Sequence, residues 1–183
     1  MNFLAKLRDI DTFVLDVDGV LTDSKMLITE SGELLRSMNV RDGFALKKAV
    51  RAGYKVVIIT GGKSRGVRSR LQNLGITDIY DGVQEKKPVL SAYLKNSNTD
   101  PTSVLYMGDD LPDYHAMRLC GLPACPHDAA HEILSFARYV SPLKGGEGCV
   151  RDVIEKVMRL HNRWLDEEQM KDEERLKYGL PES

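Results

Sequence analysis

The sequence predicts an α/β fold built on a doubly wound parallel sheet, and three observations predict it. Thr12–Leu15, Lys55–Thr60 and Val104–Met107 are near-continuous apolar runs of the kind that form strands buried on both faces. Each run stops at a polar segment containing glycine, and stretches with helical spacing of apolar residues separate the runs. Alternating strands and helices of this length pack helices on both faces of a parallel sheet.

The elements follow in order. Phe13-Val14-Leu15 delivers Asp16 and Asp18 where the first strand must end at Gly19. Met26 to Met38 carries apolar residues around a Glu30-Ser31-Gly32-Glu33 turn, which predicts a β-hairpin flap over about residues 24–39. Asn39-Val40-Arg41-Asp42-Gly43 reads as a loop leading into a helix with Phe44, Leu46, Ala49 and Val50 as its apolar positions, stopped by Gly53. The second strand runs into Gly61-Gly62-Lys63-Ser64 and a helix from Arg65 to Leu74. Ile79-Tyr80 is a short strand, and Lys87-Pro88 opens a helix, proline being tolerated in the first turn. The third long strand ends in Gly108-Asp109-Asp110-Leu111-Pro112-Asp113, with a helix from Pro112 to Gly121. A strand at Leu122–Cys125, a helix from Asp128, a short strand at 138–140 and a helix after Gly148 complete the pattern.

Domain organisation follows from length and composition. With 183 residues, 42% of them hydrophobic, the chain can bury one ordinary core, and residues 1–165 read as a single domain. Residues 166–183 form a charged extension, with Glu167–Lys171 and Glu173–Lys177 at helical i,i+4 spacing. A net charge of −1 gives no basis for nucleic acid or an anionic membrane as partner. No apolar run is long enough to span a bilayer, and Met1–Ile10 is too short and charged for a signal peptide, so the expected location is the cytoplasm. Cys120, Cys125 and Cys149 lack metal-ligand spacing and read as free thiols.

The chemistry gathers where strands end, because ligands of open parallel sheets bind beyond the carboxyl ends of strands. Asp16 and Asp18 lie on one side of the chain, and two like charges that close need compensation. A divalent cation supplies it, and carboxylate oxygens suit Mg²⁺. The bland alternative is a polar turn with both acids solvated. Thr60, followed by glycines at a helix entrance, offers a hydroxyl and free N–H groups to anion oxygens, and Lys86 adds a point charge. Such a set describes a phosphoryl site, with one carboxylate free to act as nucleophile and the other, two residues on, as general acid and base.

Asp16-Val17-Asp18-Gly19-Val20-Leu21-Thr22-Asp23, Thr60, Lys86 and Gly108-Asp109-Asp110-Leu111-Pro112-Asp113 resemble, in order and spacing, the four motifs of the haloacid dehalogenase superfamily of phosphatases. Only a hairpin and a helix separate the first two motifs, so no large cap domain is expected. The pattern is similar to the capless branch that contains the 3-deoxy-D-manno-octulosonate 8-phosphate phosphatases of lipopolysaccharide sugar biosynthesis. Asn39-Val40-Arg41-Asp42-Gly43 and Lys144-Gly145-Gly146-Glu147-Gly148 also resemble signatures of that family. The resemblance implies a Mg²⁺-dependent hydrolase with Asp16 as nucleophile and metal ligand, and Asp18 as general acid/base that ligates the metal through its backbone carbonyl. It further implies Asp109 as a metal ligand, Asp110 and Asp113 as groups positioning metal-bound water or Lys86, and Thr60 and Lys86 as phosphate holders. Asn39, Val40, Arg41, Asp42, Gly43, Lys47 and Arg70 would contact the sugar-acid part of the substrate, and Gly61 and Gly62 are expected to bind it through their N–H groups. A homotetramer with active sites near subunit interfaces is implied as well.

Gly62 departs from the family pattern, which usually has a long basic residue there; Lys63 is a displaced candidate for that contact. Ser24 replaces a glycine often seen after the first motif. These departures leave 2-keto-3-deoxynononate 9-phosphate or another sugar phosphate open as substrate. Two non-enzymatic alternatives are a phospho-acceptor receiver-like domain and an inactive oligomerisation domain. Asp18 argues against the receiver, since it supplies the base for rapid dephosphorylation.

Overall fold

A computed structural model of the chain describes residues 3–165; the expected helical extension at 166–183 lies outside the described residues. Six parallel strands form the central sheet: β1 (Thr12–Leu15), β4 (Lys55–Ile59), β5 (Asp78–Tyr80), β6 (Val104–Met107), β7 (Leu122–Cys125) and β8 (Tyr139–Val140). Their order is β5-β4-β1-β6-β7-β8. The chain builds outward on one side through β4 and β5, then crosses to β6 on the other side of β1, which makes the β1–β6 border the switch point of the sheet.

Register sets where the site falls. Leu15 lies level with Ile58 of β4 and with Met107 of β6. The residues just beyond these positions, Asp16, Thr60 and Gly108-Asp109, therefore emerge at one height. The ladder continues briefly past each strand: Asp16 N donates to Met107 O at 3.1 Å, and Thr60 N to Tyr80 O at 2.9 Å.

Alternate residues of β1 serve two cores, as the period of two requires. Phe13 and Leu15 point into a layer covered by α1 (Phe3–Arg8), α2 (Val40–Arg51), α3 (Arg65–Asn73) and α7 (Cys149–Leu160). Val14 faces α4 (Lys86–Asn96), α5 (Leu111–Met117) and α6 (His131–Phe136). Helix α7 shows why it docks: Val150, Val153, Ile154, Val157 and Met158 recur at i, i+3, i+4, i+7 and i+8, and all are buried. Each fully buried side chain of this size contributes about 1.5–3 kcal/mol of transfer free energy. The three cysteines are free thiols, two of them buried. Among the described residues, no helix is long and apolar enough to cross a membrane.

The flap is present as β2 (Leu27–Ile28) paired antiparallel with β3 (Leu34–Leu35). Its four strand residues are exposed, so it has no core of its own. No domain is inserted between β1 and β4 beyond this flap and α2.

Several boundaries differ from those expected. The Asn39–Gly43 stretch is the cap and first turn of α2, because the Asn39 side chain accepts from Arg41 N and closes the helix start early. Phe44, expected on the buried face of α2, is exposed, while Asp42 and Gly43 are buried. Helix α5 stops at Met117, short of Gly121, and α6 begins at His131. Helix α1 was not expected, since six residues hold too little periodicity to read.

Candidate active site

Asp16 follows β1 directly and is 7% exposed. One carboxylate oxygen accepts the Val17 N–H at 2.7 Å, and the other receives the Lys86 ammonium at 2.8 Å. Lys86 opens α4, is 4% exposed, and also reaches Asp113 Oδ1 at 2.7 Å. Asp113 sits in the first turn of α5, where its Oδ1 accepts from Tyr106 O–H at 2.8 Å and its Oδ2 from Asp109 N–H at 3.3 Å. Three buried groups, Asp16, Lys86 and Asp113, thus lock together the end of β1 and the starts of α4 and α5.

Asp109 completes the acidic edge. One oxygen from each of Asp16, Asp109 and Asp113 falls within 4.8 Å of the others. The turn after β1 makes this approach possible: Val20, Leu21 and Thr22 N–H groups all point to Val17 O, and Gly19 has φ +92°. A Cβ at Gly19 would fall inside the Asp109 carboxylate. Glycine is needed there for both backbone and space.

The electrostatics show an excess of negative charge. Burial and then the Asp113 charge push the Asp16 carboxyl up, Lys86 offsets only part, and the net result is about 7. Burial, then Asp16 and Asp113, push Asp109 up to about 7 as well. Burial works against the Lys86 charge, yet the two aspartates outweigh it and hold its ammonium above the ordinary lysine value. Carboxylate oxygens this close, with one lysine between three acids, fit a small hard cation.

A cleft of about 460 Å³ opens onto this network, lined by Asp16, Asp18, Thr60, Gly61, Gly62, Lys86, Asp109, Asp110 and Asp113 among others. The structure brings together here the residues expected from sequence as catalytic (Asp16, Asp18, Thr60, Lys86) and metal-binding (Asp16, Asp18, Asp109), with the supporting Asp110 and Asp113 and the expected substrate contacts Gly61 and Gly62. Thr60 is 5% exposed and its Oγ1 accepts the Gly62 N–H at 3.3 Å. Asp110 caps α5 through Leu111 N–H at 2.8 Å. The Asp18 carboxylate is held by Arg36 of the flap, through Nε at 2.6 Å and Nη2 at 3.0 Å.

The remaining expected substrate contacts are not in this cleft. Asp42 is 1% exposed and accepts the Arg151 N–H at 2.7 Å, capping α7 from the side; its other oxygen has no hydrogen-bond partner among the described residues. Its carboxyl is therefore committed to helix packing rather than to a ligand in the same subunit. Gly43 lies buried under the Arg70 guanidinium. Asn39 bonds Gly146 O at 3.1 Å, and Val40 is exposed. Arg41 lines a groove along α7, and Lys47 lines another beside Phe44 and Arg163. Lys63 does not line the cleft; its chain folds against Gly82 and its charge faces Asp81.

Two residues that matter here escaped the sequence: Tyr106, which reads as strand core, and Arg36, the one basic residue between Met26 and Met38. The Lys144–Gly148 segment has a structural use. Gly145 N donates to Asp128 Oδ1 at 2.9 Å and Gly146 N to Val20 O at 2.9 Å, and a Cβ at Gly145 would overlap the Gly19 carbonyl oxygen.

An acidic pair ending the first strand, facing a lysine and a second acidic loop across the switch point, places the chain in the haloacid dehalogenase class of α/β proteins. No family model matches the chain. It is 38% identical over 166 residues to 3-deoxy-D-manno-octulosonate 8-phosphate phosphatase of Escherichia coli (strain K12), covering 91% of this chain and 88% of that protein. Among solved structures, the Yersinia pestis 3-deoxy-D-manno-octulosonate 8-phosphate phosphatase superposes with a TM-score of 0.85 at 33% identity, covering 88% of this chain and 87% of the other. The Moraxella catarrhalis enzyme, in complex with magnesium ion, phosphate ion and a KDO molecule, gives a TM-score of 0.85 at 30% identity over 88% and 92%. The chain belongs to the 3-deoxy-D-manno-octulosonate 8-phosphate phosphatase family.

Proposed function

We propose that this protein is a Mg²⁺-dependent phosphatase that releases phosphate from 3-deoxy-D-manno-octulosonate 8-phosphate in lipopolysaccharide sugar biosynthesis. The observation that carries the reaction type is the buried Asp16–Lys86–Asp113 network with Asp109 within 4.8 Å of its acids at the floor of an open cleft. The relatives carry the choice of substrate: the curated protein is named for that activity, and the Moraxella structure holds magnesium, phosphate and KDO.

The Asp16 carboxylate attacks phosphorus, the bond to the sugar oxygen breaks, and Asp18 gives that oxygen its proton. Asp18 then takes a proton from water, which attacks the aspartyl phosphate; the bond to Asp16 breaks and inorganic phosphate leaves. Thr60, the N–H groups after it and Lys86 hold the phosphoryl oxygens, and Lys86 keeps Asp16 oriented through their 2.8 Å contact. Asp16 and Asp109, with the Asp18 carbonyl, would hold Mg²⁺, which supplies charge neutralisation on the phosphoryl group. Asp113 holds Lys86, and Asp110 would orient water around the ion.

The assembly we propose is a cytoplasmic homotetramer. The exposed apolar flap residues Leu27, Ile28, Leu34 and Leu35 fit burial against a neighbour. Arg41, Lys47 and Arg70, outside the cleft of their own subunit, fit substrate contacts made in a neighbour's site.

A panel of phosphorylated sugars and sugar acids, ranked by kcat/KM with Mg²⁺, tests the function. The eight-carbon 8-phosphate is expected to rank first, by tenfold or more over 2-keto-3-deoxynononate 9-phosphate. Preference for the nine-carbon acid would replace the substrate assignment. Failure to turn over any phosphate ester, p-nitrophenyl phosphate included, would remove the enzyme.

A further inference from the structure

Arg36 ends the flap but does not behave as a flap residue. Its neighbours Leu34 and Leu35 are exposed, whereas its own side chain is 4% exposed. It turns inward and offers two N–H groups to the two oxygens of Asp18, at 2.6 and 3.0 Å. The planar fork of a guanidinium matches a carboxylate in this way, and a lysine cannot. No other described residue hydrogen-bonds the Asp18 carboxylate.

A second observation, independent of the first, concerns the space the guanidinium occupies. A Cβ built at Gly62 would lie 2.8 Å from Arg36 Nη2 and 3.0 Å from Asp18 Oδ2. Gly62 has an ordinary backbone, with no positive φ to demand glycine. Glycine at 62 thus leaves open the space into which the Arg36 guanidinium is seated. Three chain segments meet at one contact: the flap brings the cation, the turn after β1 brings the carboxylate, and the loop after β4 makes room.

We infer that Arg36 is a positioning residue that fixes the Asp18 carboxylate at the edge of the cleft, so that seating of the flap over Gly62 and readiness of Asp18 for proton transfer are one event. A carboxylate offers about four lone-pair sites, and the fork uses two, so the clamped group can still exchange a proton with a leaving oxygen or a water. Without the clamp the Asp18 side chain, 29% exposed at the mouth of the cleft, would sample several rotamers, and proton transfer depends on holding the group within hydrogen-bond reach. Arginine keeps its charge at any working pH, so the clamp does not come and go with protonation. The turnover part rests on the phosphatase activity proposed above; the clamp itself does not.

The experiment uses the full chain, as wild type, Arg36→Gln, Arg36→Lys, Gly62→Ala and the Arg36→Gln/Gly62→Ala pair. Two readouts are taken: kcat and KM for p-nitrophenyl phosphate with Mg²⁺, and amide hydrogen exchange of residues 27–35 without substrate. General acid–base catalysis is worth about 10²–10⁴-fold, so Arg36→Gln is expected to lower kcat by about 10–100-fold with KM within about twofold. Arg36→Lys should recover part of the rate through one remaining donor. Gly62→Ala should lower kcat in the same direction, and the pair should be no worse than Arg36→Gln alone, because both changes break one contact. Flap exchange should rise in Arg36→Gln and in Asp18→Asn. A wild-type kcat in Arg36→Gln, a rise in KM at constant kcat, fully additive effects in the pair, or flap exchange unaltered by Arg36→Gln would each overturn the inference. If the wild type hydrolyses no ester, the phosphatase activity fails, and the exchange measurement still decides whether the clamp exists.

Discussion

Asp16 and Asp42 are both buried aspartates beside a helix start, and burial raises the carboxyl of each, to about 7 and about 6. Their surroundings then part. Asp16 touches Lys86 and lies beside the Asp109 and Asp113 carboxylates at the wall of an open cleft, so its excess charge is directed at something that enters. Asp42, 1% exposed, faces the Arg151 N–H, and its second oxygen has no hydrogen-bond partner among the described residues. Strained ionisation by itself does not mark a reactive group; what marks it is a neighbouring like charge, a fixed cation and access for a ligand. The same contrast separates the two stretches expected to touch substrate: residues 60–62 lie on the cleft, and residues 39–43 build the α2–α7 joint.

The largest expected effect is at Asp16. Asp16→Asn should abolish phosphate release while the thermal transition stays within a few degrees of wild type; measurable turnover would make the two aspartates alike in function and remove the distinction. Next is Asp109→Ala, which should raise the Mg²⁺ concentration for half-maximal rate at least tenfold. Because Asp16 and Asp109 must be ionised to hold the cation and both sit near 7, that concentration should also rise in wild type as pH falls from 8 to 6. A metal requirement independent of pH would contradict the electrostatics of the cleft.

Asp42 should act on stability alone. Its folded value of about 6 lies above the unfolded value of about 3.9, so the fold binds the proton more tightly. Its contribution therefore favours folding at pH 4 and is lost as pH rises through 6, by up to about 3 kcal/mol for a shift of about two pH units. Denaturant unfolding of Asp42→Asn should show a flatter profile than wild type between pH 4 and 6, with kcat unchanged. The smallest effect is expected at Arg41 and Arg70, where alanine should raise KM several-fold and leave kcat alone; a fall in kcat instead would place them at the chemistry.

Much of the site was legible because it follows strands. Apolar runs at 12–15, 55–59 and 104–107 had to stop, and the polar residues at their ends had to share one edge of a parallel sheet. Asp16, Thr60 and Asp109 are visible by that logic alone; Lys86, at the start of α4, is told from Lys87 only by the family motif. Arg36 is not, since its partner lies 18 residues away across a hairpin whose register no pattern reveals. Tyr106 hides for the opposite reason: it has the burial of a core residue, and only its hydroxyl reaches Asp113. The 39–43 stretch carries polar residues that look like a binding loop, because a side chain capping a distant helix leaves no local signature.

The tight seat of the 145–146 segment on the first acidic turn ties the stability of α7 to the working parts. Gly146 N bonds Val20 O, Cys149 Sγ bonds the same oxygen at 3.3 Å, and α7 begins immediately after. Warming that frays the start of α7 would withdraw the support behind Gly19 and let Asp109 drift from its neighbours. Heat should thus silence the protein before the sheet melts, with activity and far-ultraviolet ellipticity lost at separate temperatures.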